Sequence, residues 1–180
     1  MSPPTARELA SELGHLARRF VFSLRPGAPD PADEAWLLDL LSAPEQALYR
    51  AQPPADRVHS LRCARAVHRS LGDDAPSEVI IASALHDVGK AGPALGTGSR
   101  VLSAVFVALL GSDRVHGWSA GTGYRARLGT HAAHAGRGAE LLAAAQSSEL
   151  TIAWARGHHD DAAGDVDRRY VVLLQQADRT

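Results

Sequence analysis

PSEVIIASALHDVGK, residues 76–90, opens on a proline and runs to a glycine one residue before its end. Pro76 suits the first turn of a helix and Gly89 suits a stop, so the stretch is expected to be helical from Pro76 to about Val88. The cluster Val79-Ile80-Ile81 does not argue for a strand. No Val/Ile cluster in the chain alternates with polar residues between hairpin turns, as the strands of a half-buried sheet do.

The same punctuation extends in both directions. Upstream, a helix is expected over 5–22, with Leu9, Leu13, Leu16 and Phe20 at helical spacing, and 23–31 is a Pro/Gly loop. A second helix covers 32–41. Ser42, Pro44 and Glu45 form an S-x-x-E capping box that starts a third over 43–51. After Pro53-Pro54 a helix over 55–71 stops at Gly72. Downstream, 99–110 is a short apolar helix, the glycine-rich stretch 111–129 reads as a long loop with room for a short helix, and helices cover 130–146, 148–157 and 165–179. The expectation is an all-α bundle of about seven to nine helices. It forms one compact domain, in which 1–54 is a helical extension packed on a core of 55–180.

Composition narrows the classes of function. The chain has 180 residues, 45% hydrophobic and 22% charged, enough to bury a core. A net charge of −1 advertises no face for a nucleic-acid duplex. Of 19 basic residues only Lys90 is a lysine. A single cysteine, Cys63, makes no internal disulfide and fits a reducing compartment; one turn from His59, it reads as core. The start MSPPTARELASEL lacks a secretory pattern, and the longest apolar run, Val101–Leu110, is about half of what spans a bilayer. A cytoplasmic protein is expected.

Five helices or helix ends carry histidine or aspartate: His59, His86-Asp87, His134, His158-His159 and Asp178. Imidazole and carboxylate groups converging from facing helices suit Fe, Mn, Zn, Ni or Co. A carboxylate can bridge two such ions, and an ion pair activates a water for in-line displacement at phosphorus. His158 and His159 point about 100° apart on a continuing helix, so both reach one site only where the helix ends, as Gly157 suggests.

The order H…HD…H…HH…D, with HDVGK at residues 86–90, resembles the HD superfamily of metal-dependent phosphohydrolases, and its dinuclear, HD-GYP-like branch in particular. The resemblance covers about 55–180. It implies that His59, His86, Asp87 and Asp178 hold one divalent transition metal. It implies that His134, His158 and His159 hold a second, with Asp87 bridging. His134 is preferred to His131 because Gly138 follows it by four residues. Lys90 would then hold a phosphate oxygen. His131, one turn from His134, reads as either a substrate contact or a solvated side chain, and Arg62 and Arg137, among arginines that mostly form solvated faces, are candidate phosphate contacts. After His159 the chain runs DDAAGDVDRRY, with no GYP segment, which gives no support for cyclic-di-GMP as substrate.

The implied activity is hydrolysis of a phosphoester in a small anionic substrate, a class that includes nucleotides, by a metal-activated hydroxide. One alternative is an HD-type diiron oxygenase cleaving a C–C or C–P bond. Tyr49 stands where some phosphonate-cleaving members carry a tyrosine, but Gln52 replaces their acidic residue and Lys90 departs from their pattern. Another is a regulatory HD domain without turnover. The remaining histidines His15, His68 and His116 read as structural or exposed, Asp160 and Asp161 as a polar loop. No membrane partner is expected, and a homo-oligomer stays open.

Overall fold

The structure is a computed structural model that describes residues 27–91, 106–107, 110–111, 114–115, 117–123, 126, 128–129, 134–159 and 166–180. Seven α-helices have both ends among them: α1 Pro31–Leu40, α2 Ala43–Arg50, α3 Pro54–Leu71, α4 Ser77–Leu85, α5 His134–Ala144, α6 Glu149–Gly157 and α7 Arg168–Asp178. Short 3-10 turns occur at Val88–Lys90 and Gly117–Ala120, and there is no strand among the described residues. The fold is all-α. The helices expected over 5–22 and, for the most part, 99–110 lie outside the described residues.

Local chemistry accounts for the helix ends. Asp30 accepts from the amides of Ala32 (2.9 Å) and Asp33 (3.1 Å), satisfying donors that α1 leaves open. The Glu45 carboxylate returns to the Ser42 amide at 2.9 Å, the second half of the capping box. Its other oxygen accepts from Ser147 Oγ at 2.7 Å, which ties the start of α2 to the turn between α5 and α6. Gly72, at φ 76°, closes α3 in a conformation that disfavours a side chain. Ser148 Oγ caps α6 through the Thr151 amide at 3.2 Å.

The chain divides into two compact units, Gly27–Ala94 with Ala133–Thr180, and Met1–Pro26 with Leu95–Ala132. In the first, α3 packs on α4, α6 packs on both α4 and α5, α7 lies against α3 and α4, and α5 lies against the 3-10 turn at 88–90. Leu37, Tyr49, Val67, Leu85, Leu142, Trp154 and Leu174 fill one core between them. Residues before 54 thus contribute Leu37, Leu41 and Tyr49 to that core. In the second unit Phe106 meets Trp118 edge to face, ring centroids 5.3 Å apart, and Val115 and Leu128 are buried. No described helix is long and apolar enough to cross a membrane.

One close approach in the first unit positions the site. A Cβ on Gly89 would stand 2.0 Å from the His134 carbonyl oxygen and 2.6 Å from the Gly138 amide nitrogen. The 3-10 turn and α5 therefore touch backbone to backbone, and only glycine allows it. That contact sets the start of α5, and with it His134, beside Asp87.

Candidate metal centre

Helix α4 ends at Leu85, and His86 and Asp87 follow in the turn, with Asp87 at φ −99° and ψ 6°. The last carbonyls of a helix have no partner within it. His86 uses one of them: its Nδ1 donates to the Ser83 carbonyl at 2.8 Å. His158 caps α6 in the same way, Nδ1 donating to the Ala155 carbonyl at 2.9 Å. In both rings this hydrogen bond fixes the orientation and directs Nε2 inward, as the outer hydrogen bond of metal-bound histidines does.

Two groups of side chains result, each with ligand atoms within 4.8 Å of one another: His59, His86, Asp87 and Asp178, and His134, His158 and His159. In the first group Asp178 Oδ1 is 3.1 Å from His59 Nε2 and 3.1 Å from His86 Nε2. In the second, His134 Nε2 and His159 Nε2 are 3.0 Å apart. Asp87 reaches both: Oδ2 lies 3.6 Å from His86 Nε2, while Oδ1 lies 3.4 Å from His134 Nε2 and 3.6 Å from His158 Nε2. Lys90 Nζ pairs with Asp87 Oδ2.

These spacings and donors fit a metal. Two ligands bound at about 2.1 Å and at right angles stand about 3.0 Å apart, close to the three shortest separations here. His158 Nε2 is buried and makes no hydrogen bond, an arrangement that costs free energy unless an ion takes the lone pair. Each group, the two histidines with two aspartates and the three histidines, could hold a metal ion.

The electrostatics follow from burial. Burial works against both carboxylates, but Lys90 and His86 overcome it for Asp87, and His86 with the hydrogen bond from His59 does so for Asp178. Both stay ionised far below the usual carboxylate range. For His86 burial lowers the pKa, yet Asp87 and Asp178 outweigh it and raise the balance above 6.5. Burial, joined by repulsion from His86, holds His158 well below its ordinary value, and burial also lowers His59. His159, exposed at its outer edge, is lowered to about 4 by desolvation and by His134. Three of these imidazoles are thus kept neutral, the form that binds metal.

The other candidates fall elsewhere. Arg62 is exposed and lines a surface groove of about 440 Å³ with Asp30, Asp33, Arg65 and Arg69. Arg137 donates to the Gly89 carbonyl at 3.3 Å, so it braces the turn that carries Lys90. Tyr49 is fully buried, its pKa raised by burial and then by Glu34, and Gln52 is buried, accepting from Ser60 Oγ at 3.5 Å. His131, His15, His116, Asp160 and Asp161 lie outside the described residues, and His68 packs on Trp36 with ring centroids 5.4 Å apart.

Cys63 is buried in the core one turn from His59, as expected, whereas sequence reasoning passed over Trp154 and the carbonyls of Ser83 and Ala155. Cys63 Sγ stands 3.5 Å from His59 Nε2 and 3.8 Å from Nδ1, packed on the ring, a contact that the i, i+4 spacing signals. Trp154, one turn before His158, is buried 6.1 Å from its ring centroid to centroid. The Ser83 and Ala155 carbonyls carry no sequence signal at all. No family model matches the chain, and neither does any curated protein or any solved structure.

Proposed function

We propose that the chain is a metal-dependent phosphohydrolase of the HD type, cleaving a phosphoester in a small anionic molecule. The observation that carries this reading is the position of Asp87. One of its oxygens faces His86 in the first group at 3.6 Å, and the other faces His134 and His158 in the second at 3.4 and 3.6 Å. A carboxylate so placed is suited to join two cations a few ångströms apart. Two divalent ions at such a spacing supply an activated water and offset charge on a phosphoryl group.

The remaining tasks belong to the chain. His59, His86, Asp87 and Asp178 would hold one ion, and His134, His158 and His159 the other. Asp178 brings the second full negative charge to the first group, whereas the second group has only its share of Asp87. An ion held by the second group would thus keep more net positive charge and would be the better place for an anion to land. Lys90 adds an ammonium close by, able to direct a donor to one phosphate oxygen. Such an activity goes with a cytoplasmic protein and a small phosphorylated substrate, nucleotides included.

The test is turnover without oxygen. Metal-depleted protein reloaded with Mn²⁺ or Co²⁺ is expected to release phosphate or a nucleotide from a panel of phosphoesters under argon, and Asp87→Asn to abolish this. Turnover that requires iron and consumes O₂ would replace the hydrolase by an HD-type oxygenase. Metal binding without turnover on the panel would favour a regulatory domain.

A further inference from the structure

We propose that Lys90 and a metal ion compete for Asp87, so that metal uptake moves the ammonium off the carboxylate and makes it available to an anionic ligand. This rests on the metal-centre reading above. The oxygen that Lys90 Nζ engages, Asp87 Oδ2, is the one that faces His86 in the first group. The ammonium therefore sits on an atom that an ion in that group would use. Only 13% of the Lys90 side chain and 5% of that of Asp87 are exposed, so little water screens the two. A dication and an ammonium on one carboxylate oxygen repel strongly in such surroundings.

The anchoring of Lys90 lets it respond without disturbing the fold. Its amide donates to the Asp87 carbonyl at 2.9 Å within the 3-10 turn, and Gly89 beside it is locked against His134 and Gly138. The backbone is fixed, while the four-carbon stem has rotatable bonds through which the ammonium can redirect its three donors. Among the neighbours on which its charge bears are His86 in the first group and His159 in the second. Asp87 itself faces both groups, so an ammonium released from it remains within reach of an anion drawn to the centre. The protein would hold an anion firmly only once it is loaded with metal.

Two measurements test this. Metal-depleted wild type and Lys90→Met are titrated with Mn²⁺, free ion being read by electron paramagnetic resonance. Losing the competing charge is expected to tighten the first binding step about tenfold or more. Equal or weaker binding by the variant would overturn the proposal. The second measurement needs no variant, because Lys90 is the only lysine of the chain. Acetylation of its amine by a small acylating reagent, quantified on the peptide by mass spectrometry, is expected to run several-fold faster in Zn²⁺-loaded than in metal-free protein. Inorganic phosphate should slow it again in the loaded protein alone. A rate indifferent to Zn²⁺ would show that Lys90 stays on Asp87. If wild type takes up no metal, the proposed function fails together with this inference; if it takes up metal and Lys90 does not respond, this inference fails alone.

Discussion

Gly89→Ala adds one carbon at the point where the 3-10 turn meets α5. The new Cβ would lie 2.0 Å from the His134 carbonyl oxygen, 2.6 Å from the Gly138 nitrogen and 2.9 Å from the His134 carbonyl carbon. All three are backbone atoms, so no rotamer change relieves the overlap, and relief requires the turn and α5 to move apart by more than an ångström. Overpacking of this kind costs about 2–3 kcal/mol. For a domain of this size that lowers Tm by about 5–10 °C. The movement also separates Asp87 from His134, now 3.4 Å apart, so the variant should bind less metal even where it is folded. Gly136→Ala is the control, on the same helix: nothing lies within 4 Å of its Cβ and the residue is exposed. There the lower backbone entropy of alanine should stabilise the protein by about 0.5–1 kcal/mol. Thermal and urea unfolding, with metal content measured on the folded fraction, read both variants. A Gly89→Ala protein as stable as wild type, with full metal content, would refute the backbone contact and its role in setting the site.

Further expectations concern the carboxylates and the histidines. Asp87→Asn should lose metal from both groups, because Asp87 faces both, whereas His159→Ala should lose about one equivalent; equal small losses in the two would argue against a shared carboxylate. Metal affinity should rise with pH through the range from 6.5 to the raised folded-state value of His86, since the proton that Asp87 and Asp178 hold on that ring must leave as the ion binds. The stabilisation that this proton gives the metal-free fold is complete below pH 6.5 and lost as pH rises through the folded value, so the two trends oppose each other. Mn²⁺ titrations from pH 6 to 9 that show a flat affinity would contradict it. Glu45→Ala should cost about 2–3 kcal/mol in urea unfolding with metal content unchanged, as it strands Ser42 and Ser147, neither of which belongs to a ligand group.

The helices were legible where their ends carry local chemistry. Ser42 with Glu45, Pro54 and Gly72 are local signals, and α2 and α3 start or stop within a residue or two of where those signals put them. The helix expected from Pro76 to Val88 ends at Leu85 instead, and the chain re-forms as a 3-10 turn. Gly89 was read as a helix stop, but its place is fixed by α5, a contact from a distant part of the chain that no local pattern encodes. The seven histidines and aspartates were named from the resemblance that their order carries, and the structure brings them into two groups, helix ends turning adjacent residues such as His86 and Asp87 to one side. How the oxygens of Asp87 divide between the groups, and that Lys90 lies on one of them, depends on tertiary packing. So does the orientation of His86 and His158 by the Ser83 and Ala155 carbonyls.

The most direct test of a centre built around Asp87 is anomalous diffraction from a crystal soaked in Mn²⁺. Two peaks are expected, one within bonding distance of His59, His86, Asp87 and Asp178 and one within bonding distance of His134, His158 and His159, with Asp87 between them. No peak at either group, with His59 and His86 still hydrogen-bonded directly to Asp178, would contradict the account.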